Sequence, residues 1–232
     1  MNSNKNRVII IFGISDVGKT TLCKELEKIS LRRNTIKLMW YGGWYKLRKY
    51  IAEYFKKQNM DIGNIEYVED LFEPEYIKIF YDAYLYAIEK TLHQKQKNVD
   101  FVLFDSHVFH PLTQIYNQTN FVYLPLSPLN LIRNLKPSLI IFLTDRDKNI
   151  FERRLNSEKP IALRTKDLNQ IKVENMLEFC GACSLSLILN IPIIYYKMRY
   201  YTDIDEMAAH LLELIETWWR HFRCPSVQEE VI

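Results

Sequence analysis

A glycine-rich segment near the start of the chain has the spacing of a phosphate-binding loop. Residues 13–20 fit Gly-x-x-x-x-Gly-Lys-Thr. Glycines at both ends let the backbone curl around phosphates, so that successive N–H groups and the N-terminus of the next helix point at the anion. Lys19 would contact the β- and γ-phosphates, and the Thr20 hydroxyl would bind Mg²⁺. The alternative is a glycine turn without a ligand.

We therefore predict that this loop binds MgATP. Its predicted binding residues are Gly13, Ile14, Ser15, Asp16, Val17, Gly18, Lys19, Thr20 and Thr21.

An aspartate follows a second apolar segment. Asp105 comes directly after the run at 101–104, and open α/β sheets bind ligands at the carboxyl ends of their strands. We predict that it binds Mg²⁺ through water or accepts a hydrogen bond from substrate. The alternative is an aspartate that ends a strand or caps a helix.

Three arginines flank a polar, proline-containing segment. Arg153 and Arg154 lie near the end of a predicted helix, and Arg164 lies across residues 157–162. Phosphoryl transfer requires positive charge near the transferred group, and a closing segment excludes water. We predict a lid at about 153–166 whose three arginines, with Lys19 and Asp105, are catalytic. The alternative is a solvated basic helix end.

Composition excludes several classes of protein. The 232 residues carry 31 basic and 28 acidic side chains, a net charge of +3, which is too balanced to indicate nucleic-acid binding. No apolar run approaches the roughly 20 residues that span a bilayer, and the first residues lack the hydrophobic part of a secretory signal. We predict a cytoplasmic protein without membrane contact.

Two short motifs resemble metal or redox sites. Cys180 and Cys183 form a C-x-x-C pair inside a predicted helix, without a second ligand pair. We interpret them as small buried helix residues. His107 and His110 lack a neighbouring group that would complete a metal site.

Hydrophobic patterning predicts alternating strands and helices. Strand-like runs lie at 8–12, 35–39, 101–104, 139–143 and 192–196. Helical patterns begin at Lys19 and cover residues 45–57, 76–88, 147–156, about 167–189 and 204–219, and residues 106–130 form a long loop. Connections this long require right-handed crossovers. We predict one α/β domain over 1–222, a three-layer P-loop kinase fold with a five-stranded parallel sheet covered by helices, and a tail at 223–232.

The sequence resembles the archaeal-type adenylate kinases, which are P-loop nucleoside monophosphate kinases. The resemblance runs in register over most of residues 7–220. It rests on these segments: the P-loop, Tyr41-Gly42, Phe104-Asp105-Ser106-His107, Tyr123-Leu124-Pro125, residues 136–143 and the lid arginines. It implies ATP on the P-loop, with a monophosphate acceptor in an insertion between the second strand and the Asp-x-His turn. It also implies a homo-oligomer, commonly a trimer.

The chain departs from that family at the loop and at the acceptor site. Ser15 and Asp16 replace the usual Pro-Gly, which puts a carboxylate near the phosphates. The acceptor-binding helices lack their usual arginine, leaving Lys46, Arg48 or Arg133 as substitutes.

We predict a nucleoside monophosphate kinase that transfers the γ-phosphoryl group of MgATP to AMP or a related acceptor. The aromatic residues that could stack on an acceptor base are Trp40, Tyr41, Trp44 and Tyr45. One alternative is a kinase for a deoxynucleotide or nucleoside. Another is an ATPase switch that binds RNA or protein through the basic and aromatic stretch 45–57.

Overall fold

Ten helices and strands are described in the computed structural model. It describes residues 8–14, 16–40, 43–59, 82–83, 86–87, 89–90, 99–105, 137–156, 167–198 and 203–223, without the side chains of 43–48, 105 and 222–223. The strands are β1 (Val8–Phe12), β2 (Leu38–Trp40), β3 (Phe101–Asp105), β4 (Pro137–Thr144) and β5 (Ile193–Lys197). The helices are α1 (Lys19–Arg33), α2 (Gly43–Lys57), α3 (Asp147–Leu155), α4 (Leu168–Leu189) and α5 (Ile204–Arg223).

The strands form one parallel sheet in the order β2-β3-β1-β4-β5. Apolar runs without alternation suit this position, because a parallel strand is covered on both faces. All five residues of β1 are buried. The predicted α/β fold with a five-stranded parallel sheet is confirmed.

Helices cover both faces of the sheet. Ile9 and Ile11 belong to a core cluster that includes Leu22 of α1 and Leu211 of α5. Successive side chains of a strand point to opposite faces. On the opposite face α4 packs against β4, and the rings of Phe142 and Phe179 lie 5.0 Å apart.

The boundaries of the elements follow the sequence patterns closely. The helix predicted at 147–156 spans Asp147–Leu155, and the one predicted to end near 189 ends at Leu189. The second strand is shorter than predicted and begins at Leu38. Just before this strand, the N–H of Lys37 donates to the Asp100 carboxylate at 3.0 Å.

Several predictions fall on residues that the structure does not describe. The loop at 106–130 lies outside the described residues. Within the predicted helix 76–88 only 82–83 and 86–87 are described, and these are helical.

The interpretation of Cys180 and Cys183 as buried helix residues is wrong. Cys23 is buried in α1, but Cys180 is exposed on α4 and Cys183 is partly exposed. Burial fails because this side of α4 faces away from the sheet. Among the described residues, no helix is long and apolar enough to cross a membrane.

Candidate functional site

The glycine-rich loop joins the central strand β1 to α1. Gly13 and Gly18 both have positive φ values, 139° and 104°, which side-chain-bearing residues rarely adopt. A Cβ atom on Gly13 would lie 2.6 Å from the carbonyl oxygen of Leu143 in β4. The loop therefore packs against the backbone of the neighbouring strand, and its position is fixed by β1 and β4 together.

We expect Gly13→Ala to destabilise the fold more than Gly18→Ala does. The Gly13 Cβ would meet backbone, whereas the Gly18 Cβ would meet the flexible end of Met198 at 2.9 Å. Gly13→Ala should lower the free energy of unfolding by about 3 kcal/mol or more and Gly18→Ala by roughly 1–2 kcal/mol. Urea denaturation measures both. Equal losses would contradict the steric difference, because both substitutions share the positive φ.

The Lys19 side chain folds back into the loop. It is only 5% exposed, and its Nζ donates to the carbonyl oxygen of Gly13 and, at 3.2 Å, to that of Ile14. These two carbonyl oxygens replace the water that the ammonium group loses on burial. The cation is thus held in the concavity of the loop, where the sequence predicts phosphate.

The first turn of α1 presents two hydroxyl groups to solvent. Thr20 and Thr21 are both exposed, directly after the buried Lys19. The backbone of Asp105 pairs with Ile11 on the adjacent strand, two residues before Gly13, so its main chain lies beside the start of the loop. The Asp105 side chain lies outside the described residues.

These residues fit a magnesium ion that is bound mainly by phosphate. Mg²⁺ commonly takes one or two protein oxygens and completes its shell with substrate phosphates and water. The described residues contain no cluster of three or more His, Cys, Asp or Glu side chains that could hold a metal without substrate. The exposed Thr20 hydroxyl is an oxygen ligand of the required kind.

Asp16 points toward an arginine of α3. Its backbone is left-handed, with φ 67°, and one carboxylate oxygen lies 3.7 Å from Nε of Arg154. Arg153 donates from Nε to the Asp16 carbonyl oxygen at 2.8 Å. The departure from Pro-Gly at this position therefore comes with two arginines that hold the loop from the other side.

Arg153 joins the loop to the end of β4. Its Nη2 lies 2.7 Å from Oδ2 of Asp145, whose other oxygen accepts from the Arg146 N–H at 2.7 Å and from Asn149 at 3.0 Å. Our sequence reasoning did not select Asp145. The signal was present, because Asp145 follows an apolar strand as Asp105 does.

Arg154 is the most buried arginine of the site, with 3% of its side chain exposed. Its Nη2 lies 3.0 Å from Oε2 of Glu174 on α4. It therefore connects the loop, α3 and α4. No sequence pattern pointed to Glu174, because Arg154 and Glu174 are far apart in the chain and meet only when α3 packs on α4.

The structure thus brings Lys19, Arg153 and Arg154 together around the loop. Ser15, Arg164, the lid segment 157–166, His107 and His110 lie outside the described residues.

Helix α2 covers the basic stretch at 45–57, and side chains near its end contact Tyr86. Lys57 donates to the Tyr86 hydroxyl at 2.7 Å, and that hydroxyl donates to Glu53 at 2.8 Å. The hydrogen bond from Tyr86 lowers the pKa of Glu53, and the bond between Lys57 and Tyr86 raises the pKa of Lys57. These contacts tie the helix to residue 86.

Comparison with known proteins finds a protein family that matches the region containing the loop. A family model described as AAA domain matches residues 9–165, well over half of the chain. No curated protein matches the sequence. Among solved structures, the chain is similar to a shikimate kinase from Bacteroides thetaiotaomicron at 17% identity, with 90% of this chain and 98% of that chain covered and a TM-score of 0.41.

Proposed function

The chain belongs to the AAA domain family, and we propose that it is an ATP-dependent phosphotransferase acting on a nucleoside monophosphate or a related small acceptor. The observation that carries this proposal is the position of Lys19, buried within a glycine loop whose outer side is held by Arg153 and Arg154. A P-loop alone is compatible with any nucleoside triphosphatase and does not by itself indicate phosphoryl transfer to an acceptor. Arginines beside the loop add the charge that phosphoryl transfer requires.

The loop would bind the donor through its backbone and through Lys19. The β- and γ-phosphates would lie at the N-terminus of α1, where unpaired N–H groups and the helix dipole favour an anion. Lys19 would exchange the carbonyl oxygens of Gly13 and Ile14 for phosphate oxygens. This exchange moves the cation only a short distance, because it already lies inside the loop.

Magnesium would be bound by the Thr20 hydroxyl, and Asp105 is the proposed second group. The ion would supply positive charge that offsets part of the charge of the phosphates. Because an acceptor phosphate is already an anion, the protein needs no strong general base.

The arginines would act on the transferred group. Arg153 is 42% exposed and reaches the loop, so its Nε–H would turn from the Asp16 carbonyl oxygen to a phosphate oxygen while Asp145 holds Nη2. Arg154 is held by two carboxylates and would set the position of Asp16 and of the loop. Arg164 is the remaining proposed lid arginine.

AMP is the acceptor that the resemblance to archaeal-type adenylate kinases favours. A deoxynucleotide or nucleoside is the second candidate, because the sequence lacks the family's acceptor-binding arginines. The described positions 82, 83, 86, 87, 89 and 90 contain no arginine and include two carboxylates, Asp82 and Glu89.

An acceptor panel tests the proposal. The protein is incubated with MgATP and each of the common ribo- and deoxynucleoside monophosphates and nucleosides, and both ADP and the phosphorylated product are quantified. We expect equal amounts of ADP and one new phosphorylated acceptor. ADP without such a product would overturn the kinase proposal and favour a hydrolytic switch. Salt-sensitive binding of single-stranded RNA would support that switch further.

A further inference from the structure

Helix α4 has an exposed face made of apolar side chains. Its large exposed apolar residues expose between 37% and 82% of their surface, and they are Leu168, Val173, Met176, Phe179, Leu187 and Ile188. Cys180 is exposed among them. Of these, Phe179 also packs against Phe142 and Tyr195 of the sheet. Between 177 and 189 the only charged residue is Glu178, which is buried. Thirteen consecutive residues of a surface helix therefore offer no exposed charge.

The exposed residues follow a heptad spacing. Val173, Met176, Cys180, Cys183 and Leu187 are separated alternately by three and four residues, which is the spacing of the a and d positions in a coiled coil. The buried residues of α4 form a separate stripe, which comprises Ile171, Glu178, Ala182 and Leu185. One side of the helix thus packs on the protein and the other has the pattern of a helix pair.

The described elements that pack against α4 are α3, β1, β4 and β5. The strand β5 is at the edge of the sheet. Within the described part of the chain, none of the remaining helices and strands makes an extensive contact with the heptad face, which we define as Val173, Met176, Cys180, Cys183 and Leu187.

The apolar area at this face is large for a monomer. Five side chains of this size and exposure present about 500 Å² together, toward the upper end of the roughly 300–600 Å² that the largest apolar patch of a monomer covers. Two copies would bury on the order of 1,000 Å² in total, the lower limit for a specific interface. The area is therefore sufficient for a dimer of this chain.

We propose that the protein forms a two-fold symmetric dimer in which the heptad face of α4 packs antiparallel on the same face of a second copy. An isologous interface requires a patch that is complementary to itself when reversed. If the two-fold axis passes between residues 181 and 182, Met176 of one helix lies opposite Leu187 of the second copy, and Cys180 lies opposite Cys183 of the second copy. The small cysteines at the centre let the helix axes approach, and the larger side chains lie outside them.

Charge supports a second copy as the occupant. A partner of opposite charge would require charged groups on the face, and the face has none. Lys172 and Glu174 lie at one end of the stripe only, so the antiparallel arrangement separates each from its equivalent in the second copy. Parallel pairing would bring like charges together. This inference is independent of the acceptor and of the phosphotransferase proposal.

Molar mass in solution gives the first test. Light scattering coupled to size exclusion should give twice 27.8 kDa for the wild type and a single chain for Leu187→Glu, which places two carboxylates in the interface. The matched control is Leu31→Glu, because Leu31 is 59% exposed on α1, away from α4. It should remain a dimer.

Three results would overturn the proposal. They are a wild-type monomer at concentrations up to roughly 100 μM, a mass of three chains, and a dimer that persists in Leu187→Glu. Circular dichroism confirms that each variant is folded, and both substitutions are at exposed positions.

Cysteine pairing gives a second test that fixes the register. In a Cys224→Ser background, the variants Cys180→Ser and Cys183→Ser each retain one of the two face cysteines and cannot form a disulfide within α4. Mixed and oxidised, they should give a disulfide-linked dimer that joins Cys183 of one chain to Cys180 of the other. Burial, with a smaller contribution from Cys180, raises the pKa of Cys183, so the oxidation is done at alkaline pH.

The mixture should crosslink several-fold more than either variant alone. Equal crosslinking in all three samples, or none in the mixture, would overturn the antiparallel register. The double variant Cys180→Ser/Cys183→Ser is the blank, because Cys23 is buried and should not react.

Discussion

Lys19→Ala is expected to lower kcat/KM for phosphoryl transfer by about 10³-fold or more. The Lys19 ammonium group is the cation that the structure places inside the loop, against the Gly13 and Ile14 carbonyl oxygens. A charge preorganised in a partly dehydrated site stabilises the developing charge more strongly than one that must be brought there from water. Steady-state kinetics with the acceptor identified in the panel measure the loss.

The matched control is Lys24→Ala. Lys24 is exposed on the same helix, outside the loop. Its removal changes the net charge by the same amount, and kcat/KM should stay within about two-fold of the wild type, because an exposed charge is screened by solvent and salt. Turnover retained by Lys19→Ala would show that the loop is not the site of the reaction.

Arg154→Met is expected to lower the free energy of unfolding by about 3–5 kcal/mol. Methionine keeps much of the side-chain volume but removes the cation between Asp16 and Glu174. Both carboxylates are largely shielded from water, so losing their shared partner leaves negative charge poorly compensated. Urea denaturation at neutral pH measures the loss, which is a large part of the stability of an ordinary domain.

Two variants separate charge compensation from packing at Arg154. Arg153→Met removes the neighbouring arginine, which is 42% exposed, and should cost less than Arg154→Met, because the Asp145 carboxylate, although only 5% exposed, keeps its hydrogen bonds from the Arg146 N–H and from Asn149. The double variant Arg154→Met/Glu174→Met should be more stable than Arg154→Met, because it also removes a stranded carboxylate. A double variant that is less stable than Arg154→Met would indicate that packing dominates.

Substituting Asp16 examines the same contacts from the side of the loop. Asp16→Asn keeps a residue type that tolerates φ 67° and keeps the carbonyl oxygen that accepts from Arg153. It removes the carboxylate while leaving Glu174 as a partner of Arg154, so its cost in unfolding free energy should be below that of Arg154→Met.

The sequence predicted the sheet and its helices because their signals are local. The continuous apolar run of β1 requires cover on both faces, and the spacing of apolar residues in α5 requires one buried side. The phosphate loop was equally readable, because two glycines, a lysine and a threonine act within eight residues.

The contacts of Asp16 could not be read from the sequence. Arg154 of α3 contacts Asp16, and Glu174 of α4 contacts Arg154, so both distances depend on how α3 and α4 pack. The spacing of residues shows which side chains share one side of a helix. Which charges meet between two helices depends on how the helices are rotated and shifted relative to each other, and no local spacing encodes that.

The exposed side of α4 shows the same limit. Residues 177–189 carry a single charged side chain, Glu178, so no local charge pattern marks an exposed side at the cysteines. The position of β5 at the sheet edge decides that one side of α4 is exposed instead.

The sequence by itself determined the loop and the strands, because the loop motif and the burial of a strand depend on residues close together in the chain. Only the tertiary structure decided that Asp16 faces Arg154, that Asp145 holds Arg153, and that α4 leaves Cys180 exposed. These depend on the packing of elements far apart in sequence, where small rotations decide which side chains meet.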